Sequence, residues 1–406
     1  MSKLALVLAG GGSLGAYEVG AIEALEELGY KFDIVTGTSI GALNAAFVCN
    51  KQTYALRRLW ENITPEKVMV NGVSISKREL DDSSKKEYIK EFARWGLEYF
   101  KGRRPGADIS PFKEYVKNAI DVDACYDSDI KYGIVTTQVR GMRMINVDMH
   151  SLPKHEFLPY LHASSACFPI FPMEKIGERL YVDGFYKDNL PITLAFSMGA
   201  DEVIAIDMKL FSLEPRHKFY LSLPNVTYIA PYIKMGSMVD FSQEVIRKNI
   251  KLGYLDVMKH YHKYLGFEYT FKPFKAKGPF LSFLLEQFET NSKYILDLLS
   301  EGIRTPMDER DYFIRSLEVV ADKLGIEDYY RVHTLSSFRS LLKNRIVELM
   351  NSDSFSKYAR KEKLALLANY RKNSVLYSYL AEFLEHFLDL KLANLLSTRK
   401  LITTNT

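Results

Sequence analysis

A chain of 406 residues with 47% apolar and 26% charged side chains has the make-up of a folded globular protein, and its length favours a main domain with an appended one. A formal charge of +4 is too small for the long-range positive field of a nucleic-acid binder, so no nucleic-acid partner is expected. Cys49, Cys125 and Cys167 form no CxxC pair, which removes a zinc knuckle or a disulfide framework and points to reduced thiols in a cytoplasmic protein.

The first element, residues 3–8, is a short apolar run ending in glycine, the pattern of a strand covered on both faces. Read as the apolar part of a signal peptide it would be too short, with one lysine before it and three glycines after it. Val19, Ile22, Leu25 and Leu28 then recur at helical spacing, and Gly29 stands where a helix would end. Residues 32–36 read as a second strand, and residues 40–49 lack any charged side chain, which predicts a buried second helix. Strand, helix, strand, helix predicts an α/β fold with a right-handed crossover.

Residues 51–120 are charged and predicted helical, with Tyr88, Phe92, Trp95 and Tyr99 on one side of a helix, either core or a lid. Strands are expected again at 130–136, 144–147, around Tyr181, at 203–206 and at 226–229. The alternating pattern fades near residue 260, which places a catalytic domain at 1–265 and an all-helical region at 266–406, with apolar positions such as Leu335, Phe338, Leu342, Ile346 and Leu349, then Leu376, Leu380, Phe383 and Phe387. Nowhere does an apolar run reach the roughly 18 residues of a membrane-spanning helix. The stretch 272–285 mixes lysines with phenylalanines and leucines, which suits peripheral contact with an anionic membrane and equally suits burial.

Two motifs carry chemistry. Gly37-Thr38-Ser39-Ile40-Gly41 lies between a predicted strand and a predicted helix, the context of a GxSxG elbow that exposes a serine on a sharp turn. Gly10-Gly11-Gly12-Ser13-Leu14-Gly15 follows the first strand and opens the first helix. It satisfies GxGxxG, so a dinucleotide site is one reading, with Asp33 as the nearby acid; a set of N–H groups for an oxyanion is the other. Parallel strands would bring both loops to one sheet edge. A serine needs a base. None of the eight histidines (His150, His155, His162, His217, His260, His262, His333, His386) is placed to serve, and Asp183, at the end of an apolar strand and followed by Gly184, is the alternative.

The glycine loop, the Gly-Thr-Ser-Ile-Gly elbow with Ala42-Leu43-Asn44-Ala45, the segment Ala163-Ser164-Ser165-Ala166-Cys167-Phe168-Pro169, and Asp183-Gly184 through Asp188-Asn189-Leu190-Pro191 occur in the order found in the patatin-like phospholipase family, which residues 3–208 resemble. The resemblance implies a three-layer α/β/α domain around a mainly parallel sheet, and a serine lipid acyl hydrolase working without histidine. Ser39 would be the nucleophile and Asp183 the general base; Gly11 and Gly12, with Gly10 as a further candidate, would form the oxyanion hole. Gly15, Gly37, Gly41 and Gly184 complete the motifs, and no metal or organic cofactor is implied. The partner implied is a lipid or phospholipid ester. Leu14 stands where the family carries a basic residue, and Phe185 replaces a small one, so both would make the mouth more apolar. An acyltransferase on the same site and a scaffold protein with a vestigial site remain as alternative readings.

Overall fold

The computed structural model describes residues 2–69, 108–209, 215–275, 292–303, 305–351, 380 and 383. The aromatic stripe at residues 88–99 lies outside them. The described residues divide into two compact units, Met1–His260 and Tyr261–Thr406, a boundary five residues before the expected one.

The first unit is built on eight strands: β1 (Leu4–Leu8), β2 (Ile34–Thr38), β3 (Lys131–Gln138), β4 (Arg143–Asp148), β5 (Glu174–Ile176), β6 (Arg179–Asp183), β7 (Glu202–Ile206) and β8 (Val226–Ile229). Their order is β5-β6-β3-β2-β1-β7-β8, with β4 also paired to β3. The central pairings β3-β2, β2-β1, β1-β7 and β7-β8 are parallel, whereas β4, β6 and β5 join antiparallel at one end. β1 is flanked by strands on both edges and by helices on its faces, and four of its five residues are fully buried, which is why the segment reads as an unbroken apolar run.

Thirteen described helices follow in chain order: α1 (Ala16–Glu27), α2 (Ile40–Cys49), α3 (Thr53–Asn62), α4 (Pro65–Val68), α5 (Ser110–Ala119), α6 (Val122–Tyr126), α7 (Lys154–Ser164), α8 (Ile192–Ser197), α9 (Pro215–Tyr220) and α10 (Gln243–His260) in the first unit, then α11 (Ser292–Leu299), α12 (Glu309–Lys323) and α13 (Leu335–Asn351) in the second. Adjacent residues of β3 show the layering, because neighbouring side chains of a strand point to opposite faces. Tyr132 donates its hydroxyl to the Ala42 carbonyl of α2 and packs on Phe157 of α7. A side chain at Gly133 would instead run into Leu194 and Met198, in and just after α8.

The second unit has its own core, including Tyr269, Phe271, Ile295, Leu317, Phe338 and Leu342, with Leu380 and Phe383 also buried. It is not all helical. Thr270–Phe271 pairs in parallel with Val332–His333, and the buried carboxylate of Glu318 on α12 accepts the N–H groups of Phe267 and Tyr269 just before that pair. Two-residue strands carry no periodicity, so only this long-range capture of the backbone makes them visible. Phe271, just before the mixed basic and aromatic stretch, is buried, and Phe274 within it packs on this core; residues 276–285 lie outside the described set.

Candidate active site

β2 continues past its expected end through Gly37 and Thr38 to the turn itself, held by Leu8 opposite Gly37 and Val135 opposite Thr38. Ser39 then adopts φ 56° and ψ −125°, a sparsely populated conformation for a residue with a side chain. Such a residue costs on the order of 1–3 kcal/mol and persists only where its surroundings hold it. Gly37 and Gly41 are part of that hold: a Cβ on Gly37 would lie 2.4 Å from the Gly41 carbonyl, and one on Gly41 would lie 2.5 Å from the Ala9 oxygen. The serine N–H donates to Ser164 Oγ at 3.0 Å, and that hydroxyl donates to the Val135 carbonyl at 2.7 Å.

The register of β3 places the aspartate. Thr38 pairs with Val135 and Asp183 with the next residue, Thr136, so β2 and the antiparallel β6 meet end to end along β3. Ser39 Oγ accordingly donates to Asp183 Oδ2 at 2.6 Å. Asp183 is fully buried, and Phe185 N–H donates to its other oxygen at 2.9 Å. Burial pushes its pKa up to about 7, against the opposing pull of the Phe185 N–H and the serine hydroxyl.

The loop after Asp183 ties the parts together. Thr38 Oγ1 donates to the Asp188 carbonyl and Thr36 Oγ1 to that of Pro191. Asn189 Nδ2 donates to the Gly10 carbonyl at 3.1 Å, and Gly10 N–H donates back to the Asn189 carbonyl at 3.2 Å. The Gly10 N–H is thus engaged within the loop. The N–H groups of Gly11 and Gly12 have no backbone acceptor among the described residues. Gly12 takes φ +57°, and a Cβ there would lie 2.3 Å from the Met238 carbonyl. Ser13 fastens the loop to that segment, its N–H to the Met238 carbonyl at 2.8 Å and its hydroxyl to the Ser237 carbonyl at 2.9 Å.

One open pocket, enclosing about 660 Å³ of empty space with its mouth included, is lined by Gly10, Gly11, Gly12, Ser39, Asp183 and Asn189 and walled mainly by apolar side chains. Phe185 lines it; Leu14 is buried and does not. Gly15 and Gly184 are packed against Ile40 and the Val135 carbonyl respectively, at distances a side chain would violate. Among the described residues no histidine lines the pocket. His217 is buried against Asp188 at 2.8 Å, and burial, with Lys113 adding to it, pushes the His162 pKa down to about 4.

Ser164, Asn189 and the 237–241 segment carry parts of the site that no individual role was read for in the sequence. Ser164 and Asn189 stand inside the ordered landmarks, so a signal was present. The 237–241 segment falls in residues 236–256, whose resemblance to the family's C-terminal extension is less distinctive than the landmarks before residue 208. For the dinucleotide reading, Asp33 precedes β2 at the opposite end of the strand from Ser39, and its carboxylate accepts the Leu4 N–H at 2.9 Å, away from the glycine loop. Among the described residues no cluster of metal-ligating side chains occurs, and no helix is long and apolar enough to cross a membrane.

The α/β sheet thus presents a strained serine on a strand-to-helix turn, beside a glycine loop and an apolar pocket. The chain carries a domain of the patatin-like phospholipase family: the family's model matches residues 6–196. Similar proteins include patatin-like phospholipase domain-containing protein 7 of Mus musculus, 30% identical over 209 residues, which are 51% of this chain and 14% of the mouse protein. Neuropathy target esterase sws of Drosophila melanogaster is 27% identical over 51% of this chain and 13% of its own length. Lysophospholipase NTE1 of Mycosarcoma maydis is 29% identical over 51% of this chain and 10% of its own length. The chain thus aligns with a small part of each. Among solved structures, VipD from Legionella pneumophila aligns over 86% of both chains at 14% identity and a TM-score of 0.43.

Proposed function

We propose that this chain is a serine lipid acyl hydrolase that cleaves carboxylic esters of lipids through Ser39 and Asp183. The observation that carries the reading is the 2.6 Å hydrogen bond from Ser39 Oγ to a buried carboxylate. Asp183 takes the hydroxyl proton as Ser39 Oγ attacks the ester carbonyl, and the N–H groups of Gly11 and Gly12 receive the developing oxyanion. Collapse transfers the proton from Asp183 to the leaving alcohol and leaves the acyl group on Ser39. A water deprotonated by the same carboxylate then releases the fatty acid. The apolar walls, Phe112, Phe171 and Phe241 among them, support an acyl chain as the group bound.

Reaction with a fluorophosphonate probe, followed by mapping of the labelled peptide, tests the reading. Label on Ser39, lost in Ser39→Ala and reduced about 10³-fold in rate in Asp183→Asn, is the expected result. Label elsewhere, or full ester cleavage by Ser39→Ala, would refute it.

A further inference from the structure

Two adjoining turns beyond the pocket present chemistry that ester cleavage leaves unused. β3 outruns β2: Thr38 pairs with Val135, and β3 continues through Gln138 into the turn at residues 139–142. At roughly 3.3 Å per residue, that turn stands on the order of 13 Å past the level of Ser39 at the carboxyl edge of the sheet, where the pocket lies. The turn between β5 and β6, at Gly177 with φ +56°, lies alongside, joined by the Val139 N–H to the Leu180 carbonyl at 2.9 Å.

Arg140 on the first turn, and Arg143, Lys175 and Arg179 on the strands flanking the two turns, are all exposed. Glu178 is the single acid within residues 139–143 and 175–180. None of the four cations forms an ion pair or side-chain hydrogen bond among the described residues. Two exposed apolar side chains stand on the same hairpins, Met142 at 42% and Leu180 at 45%. Cations alone would serve to keep an edge strand from pairing with another chain. Exposed apolar side chains work against that use, whereas cations and apolar side chains together at one end of the sheet match an anionic, partly apolar surface.

We propose that these paired hairpins seat the domain on an anionic phospholipid bilayer. Arg140, Arg143, Lys175 and Arg179 meet headgroup phosphates, and Met142 and Leu180 enter the interface, so that the pocket mouth lies at the lipid surface. The proposal rests on the lipid-ester reading for its use, but its binding test is independent of catalysis. A cation near an anionic membrane changes partitioning by about fivefold.

Cosedimentation of the Ser39→Ala chain with vesicles of phosphatidylcholine, with and without phosphatidylserine, reads binding without lipid breakdown. Binding that requires phosphatidylserine, weakens with salt, and falls about tenfold or more in Arg140→Glu/Arg179→Glu is expected. Met142→Ser/Leu180→Ser should weaken it several-fold, at about the same salt dependence. Undiminished binding by the charge-reversed chain, or no preference for phosphatidylserine, would overturn the proposal. With Ser39 restored, the charge-reversed chain should cleave a soluble short-chain ester at the parent's rate while losing activity on vesicles. If the parent cleaves neither ester, the hydrolase reading fails and the vesicle result still decides the docking surface.

Discussion

A carboxylate that takes a proton from serine works best when its own acidity lies near the working pH. Burial sets Asp183 at about 7, so kcat/KM for a soluble ester should rise with pH through an apparent pKa near 7 and level off above it. A profile flat down to pH 5 would show that another group limits the reaction. The same shift affects stability. Between the ordinary aspartate value and pH 7, the folded chain holds a proton that the unfolded chain has lost, so this group's contribution to stability falls as pH rises through that window. Asp183→Asn removes the titration. It should therefore gain stability relative to the parent at pH 8, on the order of 1–3 kcal/mol, and gain less at pH 5, measured by thermal or urea unfolding at both pH values.

At the scale of elements, the glycine loop is held from outside the motif. α1 begins just behind it and packs on α10 at a close crossing: a Cβ on Gly20 would lie 1.8 Å from the Ile250 carbonyl, and one on Gly253 would lie 1.9 Å from the Tyr17 carbonyl. Both obstacles are backbone, so Gly253→Ala must push the helices apart and should lower stability by about 3 kcal/mol. Ser13→Ala keeps the N–H bond to Met238 and loses the hydroxyl bond to Ser237. The expected outcome is a kcat about tenfold lower with KM little changed, read on a soluble ester, because the oxyanion donors shift while the acyl walls stay. Elements with long, clean patterns were legible: α2 spans residues 40–49 as expected, and β8 spans 226–229. β5, with three residues, and the Thr270–Phe271 pairing had no pattern to read.

For the whole molecule, the matched segment 6–196 is smaller than the unit that folds around it. β7 lies beside β1 in the middle of the sheet, and Met238, Val239 and Phe241 line the pocket. A chain ending at residue 196 would leave β1 with an unpaired edge and bare the face of α1. Residues 1–196 should therefore aggregate, whereas residues 1–260 should unfold cooperatively and keep soluble-ester activity. Circular dichroism melts and turnover of the two fragments check this, and a folded, active 1–196 fragment would show that the later segment is dispensable.

The elbow glycines, the serine between them and the apolar helix behind them were readable from residue order, because a tight turn and a buried helix are decided within a few residues of chain. Asp183 could be nominated by its strand-end position, but its distance to Ser39 depends on β2 and β6 meeting along one edge of β3, which brings together two side chains 144 positions apart. Likewise, nothing local tells that the Gly10 N–H is taken by Asn189, or that Ser237 and Met238 hold the loop. Those contacts bring distant backbone together, and only the packed sheet and the α1–α10 crossing bring them within hydrogen-bonding reach.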